Sequence, residues 1–213
     1  MNITVLYVGS SLLAPLKNAE REINRVHDLG LRVATYNFGS PLSDREWLDV
    51  KRDLAAANIV FVIHVMDGEN ASRLVNALDE LNARHDAVIV INCMPELMRR
   101  TRMGRLNVNA LAGKTKKGKG EGLLRSVGSW IGSQAQRGKS HRGHGQYLKL
   151  IDRLPGVLKF VPTAGAFSDA KHYLYLFCYF LQPTPANIQS MLLYSLAHYV
   201  ATFRIPSLGI QHR

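Results

Sequence analysis

Residues 61–70 read Phe61-Val-Ile-His-Val-Met-Asp-Gly-Glu-Asn70, and residues 88–96 read Val88-Ile-Val-Ile-Asn-Cys-Met-Pro-Glu96. Each stretch begins as a continuous apolar run and ends abruptly in a polar turn. Such runs are typical of strands that helices cover on both faces of a parallel sheet. The two stretches therefore predict two inner strands of an α/β fold, each with polar side chains at its carboxyl end.

The rest of residues 1–92 alternates between strand and helix signals, which predicts a parallel sheet with right-handed crossovers. Strands are expected at Ile3–Val8, Leu31–Phe38, Asn58–Val65 and Ala87–Ile91. Helices are expected at Ser10–Leu29, Ser43–Ala57 and Ala71–Arg84. The first helix should bury Leu13, Leu16, Ile23 and Val26. Ser43 and Glu46 have the spacing of a capping box.

The positive charge is concentrated in one segment. The 213 residues include 27 Lys and Arg and 16 Asp and Glu, a net charge of +11. Residues 99–142 hold 12 of the basic residues and one acid, Glu121, so the remainder is neutral. Residues 112–145 are rich in Gly and Lys and have too little apolar surface to offset the entropy of ordering. We therefore expect an α/β domain at 1–111, a flexible basic linker at 112–145 and a helical segment at 146–213.

The C-terminal segment has three helical signals, at Tyr147–Phe160, Ser168–Leu181 and Pro185–Tyr199. Thr184 should cap the last of these, with Pro185 in its first turn. The aromatic residues of the middle helix are most simply core residues: Tyr173, Tyr175, Phe177, Tyr179 and Phe180. No apolar run has the length of a membrane span, and no secretory leader is recognised. The two cysteines are therefore expected to be reduced thiols in the cytoplasm.

Polar residues follow both inner strands, at the sheet edge where open α/β folds bind ligands. If the strands are neighbours, His64, Asp67, Asn92 and Glu96 should share one cleft. Asp67, Glu69 and Glu96 would then line a rim, with Arg99 and Arg100 close enough to pair with them. The structural alternatives are that Asp67 is only a helix cap and that Cys93 is only a buried thiol.

Residues 99–105 place four arginines beside Met98, Met103 and Leu106. Such a mixed cationic and apolar surface would suit a hydrophobic ring that carries carboxylates. A solvated or partner-docking loop is the alternative. His141 and His144 lie among cationic residues and are expected to be solvated rather than metal ligands. Gly113-Lys-Thr lacks the earlier glycine of a phosphate-binding loop.

Three stretches resemble the large, porphyrin-binding subunits of magnesium chelatases, to which the cobalt-inserting large subunits of cobalamin synthesis are related. They are Asp67-Gly-Glu-Asn70, Cys93-Met-Pro-Glu-Leu-Met98 with Arg102-Met-Gly-Arg-Leu106, and Leu154-Pro-Gly-Val-Leu-Lys-Phe-Val-Pro162. Family members are several times longer than this chain. The resemblance implies an N-terminal piece, and Leu208-Gly-Ile-Gln-His-Arg213 resembles a family motif that stops midway. Gln182-Pro-Thr departs from the family's Gly-Ser turn.

The resemblance implies a part in a ligase complex that inserts magnesium into protoporphyrin IX, using ATP, for chlorophyll and bacteriochlorophyll synthesis. The metal-inserting site would lie beyond residue 213, so this chain alone would not be catalytic and would hold no metal. The implied partners are porphyrin, the remaining regions of the large subunit, and the AAA+ motor and integrin-like subunits. Together with the strand-end pattern, the resemblance implies porphyrin or subunit contacts at Asp67, Glu69, Asn70, Asn92, Met94, Glu96, Arg99, Arg100 and Arg102.

Two other functional hypotheses follow from the sequence. One is a small basic module whose residues 99–142 dock on nucleic acid or an anionic surface, although the basic stretch lacks the interleaved aromatics of single-strand binders. The other is an inactive remnant of a truncated gene.

Overall fold

The computed structural model describes residues 1–81, 84–112 and 165–201. Six strands form one sheet: β1 (Asn2–Tyr7), β2 (Arg32–Asn37), β3 (Ile59–Ile63), β4 (Ala87–Ile91), β5 (Arg102–Met103) and β6 (Leu106–Asn107). Seven helices are described: α1 (Leu13–His27), α2 (Asp44–Ala56), α3 (Glu69–Glu80), α4 (Pro95–Met98), α5 (Val108–Ala112), α6 (Ala166–Leu181) and α7 (Pro185–Tyr199). The first of the three helices expected in the C-terminal segment, Tyr147–Phe160, lies outside the described residues, as does nearly all of the predicted linker.

The strand order is β2-β1-β3-β4-β5-β6, and β1 to β4 are parallel. The predicted parallel α/β sheet is therefore confirmed. The short strands β5 and β6, which the sequence analysis did not predict, extend the sheet as an antiparallel hairpin beside β4. The chain adds β2 on one side of β1 and then adds β3 and β4 on its other side. The direction in which strands are added therefore reverses between β1 and β3. Ligand crevices of doubly wound sheets lie at such a reversal.

Local sequence accounts for where the helices begin. Ser43 Oγ accepts from Glu46 N, and the Glu46 carboxylate accepts from Ser43 N, which completes the predicted capping box. Thr184 caps α7 as predicted, since its hydroxyl accepts from Asn187 N at 3.2 Å. Asp67 does not cap α3: the N-cap is Gly68, at φ 93, a backbone conformation that favours glycine.

Helix α1 buries Leu16, Ala19 and Ile23. The predicted face was wrong at both ends, because Leu13 and Val26 are 49% and 52% exposed. Helix α1 packs against β2 and, more extensively, against α7, which also packs against β3. Right-handed crossovers place α1 on one face of the sheet and α2 and α3 on the other. Helix α7 therefore covers the part of the α1 face that α1 leaves bare, and β3 and β4 are buried along their whole length.

Helix α6 is joined to the sheet by Tyr173, whose side chain is fully buried. Its hydroxyl donates to Val90 O at 2.7 Å. That carbonyl points away from β3, toward the side where β5 pairs only with Ala87 and Val88. The hydroxyl thus satisfies a strand carbonyl that no neighbouring strand reaches. The aromatic residues Tyr173, Phe177 and Phe180 are core residues as predicted, whereas Tyr175 and Tyr179 are half-buried.

Candidate functional site

The two loops that follow β3 and β4 lie side by side, as predicted, because the strands are parallel neighbours with Ile63 opposite Ile91. Backbone hydrogen bonds join the loops: His64 N donates to Ile91 O at 3.0 Å, and Met94 N donates to Val65 O at 2.9 Å. The first residue after each strand has a left-handed backbone: φ is 59° at His64 and 51° at Asn92. This conformation is uncommon for residues other than glycine and turns both chains sharply out of the sheet.

Cys93 forms hydrogen bonds that link the two loops inside the protein. Its sulfur accepts from Val65 N at 3.3 Å and donates to Ile91 O at 3.3 Å. The side chain is fully buried, and burial raises the pKa of the thiol to about 12. Its hydrogen-bond partners among the described residues are backbone groups, so no base stands beside it. Cys93 is therefore a structural thiol, which is the structural alternative given by the sequence.

His64 is half-buried and packs against α6. Its ring meets Phe180 of α6 edge-on, with the centroids 5.1 Å apart. Burial lowers the pKa of His64 and so favours the neutral ring. Phe180 therefore covers one side of the His64 ring, and the expectation that His64, Asp67, Asn92 and Glu96 share one cleft stays a prediction. What remains at this edge of the sheet is an exposed rim.

The rim consists of four exposed charged residues: Asp67, Glu69, Glu96 and Arg99. Glu69 is 3.5 Å from Arg73, whose guanidinium also pairs with Asp44 at 2.9 Å. Within the described part of the chain, Asp67, Glu96 and Arg99 form no ion pair and no side-chain hydrogen bond. Asp67 and Arg99 are thus available to a partner, whereas Glu96 is attracted by Arg100 and Glu69 pairs with Arg73 of its own helix.

Arg100 forms its ion pair outside the rim, but it stays close enough to Glu96 for that carboxylate, after Asp79, to raise the pKa of its guanidinium. It forms a two-point ion pair with Asp79 of α3, at 2.7 and 3.0 Å, and also donates to the backbone Glu96 O. The guanidinium lowers the pKa of the Asp79 carboxyl. The physical reason is that α4 lies against the C-terminal half of α3, so Arg100 reaches that helix before it reaches the rim. Arg100 therefore anchors α4.

Asn70 lies beneath the rim and is buried. Its amide oxygen accepts from Trp47 Nε1 at 3.1 Å and from Leu42 N at 3.2 Å, and its amide nitrogen donates to Ser40 O at 2.8 Å. Both the oxygen and the nitrogen of its amide are hydrogen-bonded inside the fold. Asn70 therefore joins α3 to α2 and to the loop before it. Asn92 and Met94 are half-buried at the base of the rim.

Arg102 lies away from the rim. It is opposite Val88, near the amino end of β4, and burial lowers the pKa of its guanidinium. Met98, Met103 and Leu106 are fully buried in the core. The expected mixed surface of arginines and exposed apolar side chains is therefore wrong: α4 buries Met98, and the hairpin β5–β6 buries Met103 and Leu106.

A polar cluster between α6 and α7 had no signal in the sequence analysis. Tyr199 Oη and the backbone Arg105 N both donate to the Asp169 carboxylate, at 3.1 and 2.7 Å. The His172 ring stacks on His198, with centroids 4.0 Å apart, and hydrogen-bonds Ser168 at 3.2 Å. Burial, followed by the neighbouring His198, lowers the pKa of His172 to about 4. Helical spacing placed these residues on their helices, but only packing brings them together.

Neither a metal site nor a membrane span is found in this part of the chain. The described residues contain no group of three or more His, Cys, Asp or Glu side chains placed to hold a metal ion. No described helix is both long enough and apolar enough to cross a bilayer. His141, His144 and Gly113 lie outside the described residues, so the expectations about them stay predictions.

The doubly wound α/β domain with an exposed strand-end rim belongs to a known protein family. The model of the family described as Domain of unknown function (DUF3479) matches residues 2–174, and this chain is a member of it. The chain is also similar to magnesium-chelatase subunits. It is 27% identical over 196 residues to the chloroplastic magnesium-chelatase subunit ChlH of Oryza sativa, in both subspecies indica and japonica.

That match covers 92% of this chain and 13% of the rice protein. A second relative, the H-type magnesium-chelatase subunit of Chlorobaculum parvum, is 24% identical over 163 residues, which cover 73% of this chain and 12% of that protein. The chain thus spans about an eighth of the length of these relatives. The resemblance drawn from the motifs is confirmed at the level of the family.

Proposed function

We propose that this chain is the N-terminal part of a magnesium-chelatase porphyrin-binding subunit, and that it contributes to insertion of magnesium into protoporphyrin IX for chlorophyll synthesis. The observation that carries the proposal is the match along 92% of the chain to magnesium-chelatase subunits. Magnesium and protoporphyrin IX are substrates, and ATP would be used by a separate motor subunit. The chain would supply binding contacts, because the strand-end site offers no nucleophile and base.

The rim is the part of the described surface best suited to such contacts. Asp67 and Arg99 are exposed and form no ion pair among the described residues, and Glu96 is exposed with an electrostatic attraction to Arg100. Their backbones are fixed by the cross-bonded loops, so little ordering entropy is lost when a partner binds. Two carboxylates beside one guanidinium match a partner that carries both signs of charge. A polypeptide surface from the rest of the subunit is such a partner, and Arg99 also suits a porphyrin propionate.

Capture of porphyrin by this chain can be tested with its own fluorescence. Trp47 is buried and donates to Asn70, directly under the rim, so a porphyrin bound there lies within energy-transfer range. A Trp130→Phe background leaves Trp47 as the sole tryptophan. We expect quenching on titration with deuteroporphyrin, weakened by Arg99→Gln. Absence of quenching with an intact circular-dichroism spectrum would reject a self-contained porphyrin site. Contact with the rest of the subunit would then be the remaining role for the rim.

Subunit contact is tested in the assembled chelatase. Asp67→Asn and Glu96→Gln should lower the rate of magnesium insertion without lowering the stability of this domain, because neither side chain supports the fold. Glu80→Gln is the matched control, since Glu80 is also exposed at an end of α3 but lies away from the rim. Equal loss of activity in the control, or none in the rim variants, would reject a role for the rim.

A further inference from the structure

The outer edge of β2 forms one border of the sheet. Arg32 N donates to Met1 O at 2.9 Å and Phe38 N donates to Tyr7 O at 2.7 Å, so the even-numbered residues of this strand bond to β1. Backbone groups alternate in direction along a strand, so Val33, Thr35 and Asn37 direct theirs outward. Unpaired groups of this kind are a template for another strand.

Side chains of α1 occupy the first half of that edge. The Glu20 carboxylate accepts from Val33 N at 2.8 Å, and the Lys17 ammonium donates to Val33 O at 2.6 Å. The two side chains also pair with each other at 2.9 Å. Val33 therefore has both of its outward backbone groups satisfied by one ion pair.

Asn24, one turn further along α1, satisfies both outward backbone groups of Leu31. Its amide oxygen accepts from Leu31 N at 2.7 Å, and its amide nitrogen donates to Leu31 O at 2.8 Å. Leu31 and Val33 are alternate residues, which is the spacing at which an adjacent strand would bond. Positions 17, 20 and 24 lie on one side of α1, because residues three and four apart are neighbours on a helix.

We propose that Lys17, Glu20 and Asn24 act as a surrogate strand that closes the edge of β2 to strand addition by a second copy of this chain. A second copy is the relevant partner because its own β2 presents the same pattern, and antiparallel pairing of two such edges has the two-fold symmetry of most homodimers. The opposite border is protected in another way: β6 has two residues, and α6 packs against it.

Amide hydrogen exchange on the unsubstituted full chain tests the closure directly. Val33 N–H should exchange about tenfold more slowly than Thr35 N–H, which lies on the same edge beyond the surrogate strand. Equal exchange at the two amides would overturn the proposal. This measurement needs no substitution and therefore does not depend on whether a variant folds.

Sedimentation of full-length variants tests the consequence. Lys17→Ala/Glu20→Ala should shift the mass from one chain toward two or more as concentration rises. Glu22→Ala/Arg25→Ala is the matched control, because this pair has the same charges and the same spacing on α1 but forms no hydrogen bond to a strand among the described residues. A folded double variant that sediments as the unsubstituted chain does, or equal association of the control, would overturn the proposal.

A third substitution identifies the surface through which the variant associates. Adding Thr35→Pro to Lys17→Ala/Glu20→Ala removes an outward N–H and costs no bond to β1, since proline is tolerated at such edge positions. It should restore the mass of the unsubstituted chain. Association that persists with Thr35→Pro in place would show that the chains meet elsewhere and would overturn the β2 pairing.

Discussion

Replacing Tyr173 by Phe tests whether the C-terminal helices and the sheet form one cooperative unit. The substitution removes one fully buried hydroxyl and leaves the ring, so packing is nearly conserved. It also leaves Val90 O, its acceptor at 2.7 Å, without a partner inside the protein. A buried polar group stranded in this way costs about 1–3 kcal/mol. For a chain of this length each kcal/mol lowers Tm by about 2–4 °C.

The assay is urea unfolding followed both by far-ultraviolet circular dichroism and by Trp47 fluorescence in a Trp130→Phe background. Trp47 lies in α2, on the opposite face of the sheet from α7, so its signal reports a region that Tyr173 does not touch. We expect both probes to show the same loss of unfolding free energy. Tyr179→Phe is the control: it is half-buried, no hydrogen bond of its hydroxyl is recorded, and its effect should stay within about 0.5 kcal/mol.

Two results would refute this reasoning. A loss no larger than that of Tyr179→Phe would show that the hydroxyl does not stabilise the sheet edge. A loss seen by circular dichroism alone, with the Trp47 transition unchanged, would show that α6 and α7 unfold separately from the α/β part.

Three further predictions concern acid stability, a glycine and a thiol. The pKa of His172 is about 4 in the folded chain, below its usual value near 6.5, so the unfolded chain binds the proton more readily. The contribution of His172 to the free energy of unfolding should be fully present above pH 6.5 and should be lost as the pH falls from there to 4. His172→Gln should make this pH dependence less steep in urea titrations. Gly104→Ala should lose about 1–3 kcal/mol, since φ is 56 and the new Cβ would stand 2.6 Å from the Asp169 carboxylate; equal losses in the presence and absence of Asp169→Ala would contradict that clash. Cys93 should resist alkylation until the chain unfolds, because its thiol is buried with a pKa of about 12, and rapid labelling of the native protein would disprove this.

Periodicity alone located several elements. Ala87–Ile91 and Pro185–Tyr199 were predicted with the bounds that the structure shows, and the caps at Ser43 and Thr184 are as expected. Each of these signals depends on residues within one turn or one strand. The neighbouring positions of β3 and β4 followed from a general rule of chain connection, which placed the rim residues at one edge of the sheet.

Tertiary contacts decided which side chains the rim presents. Arg100 is charged and near the rim in sequence, but it pairs with Asp79, 21 residues earlier. His64 follows an inner strand, but Phe180 of α6 covers it. Neither partner has a sequence signal, because the choice between solvent and a distant residue depends on how whole helices pack.

The sequence by itself determined the alternation of strands and helices, the parallel sheet and the kinship with chelatase subunits, because each is encoded in local apolar patterns or short motifs. The tertiary structure alone decided that α7 completes the α1 face of the sheet, that the hairpin β5–β6 buries Met103 and Leu106, and that Lys17 and Glu20 seal the edge of β2. The physical reason is the separation in sequence between the residues that interact. A local pattern determines which face of an element is apolar. Burial against distant elements fixes what covers that face and which polar groups remain exposed.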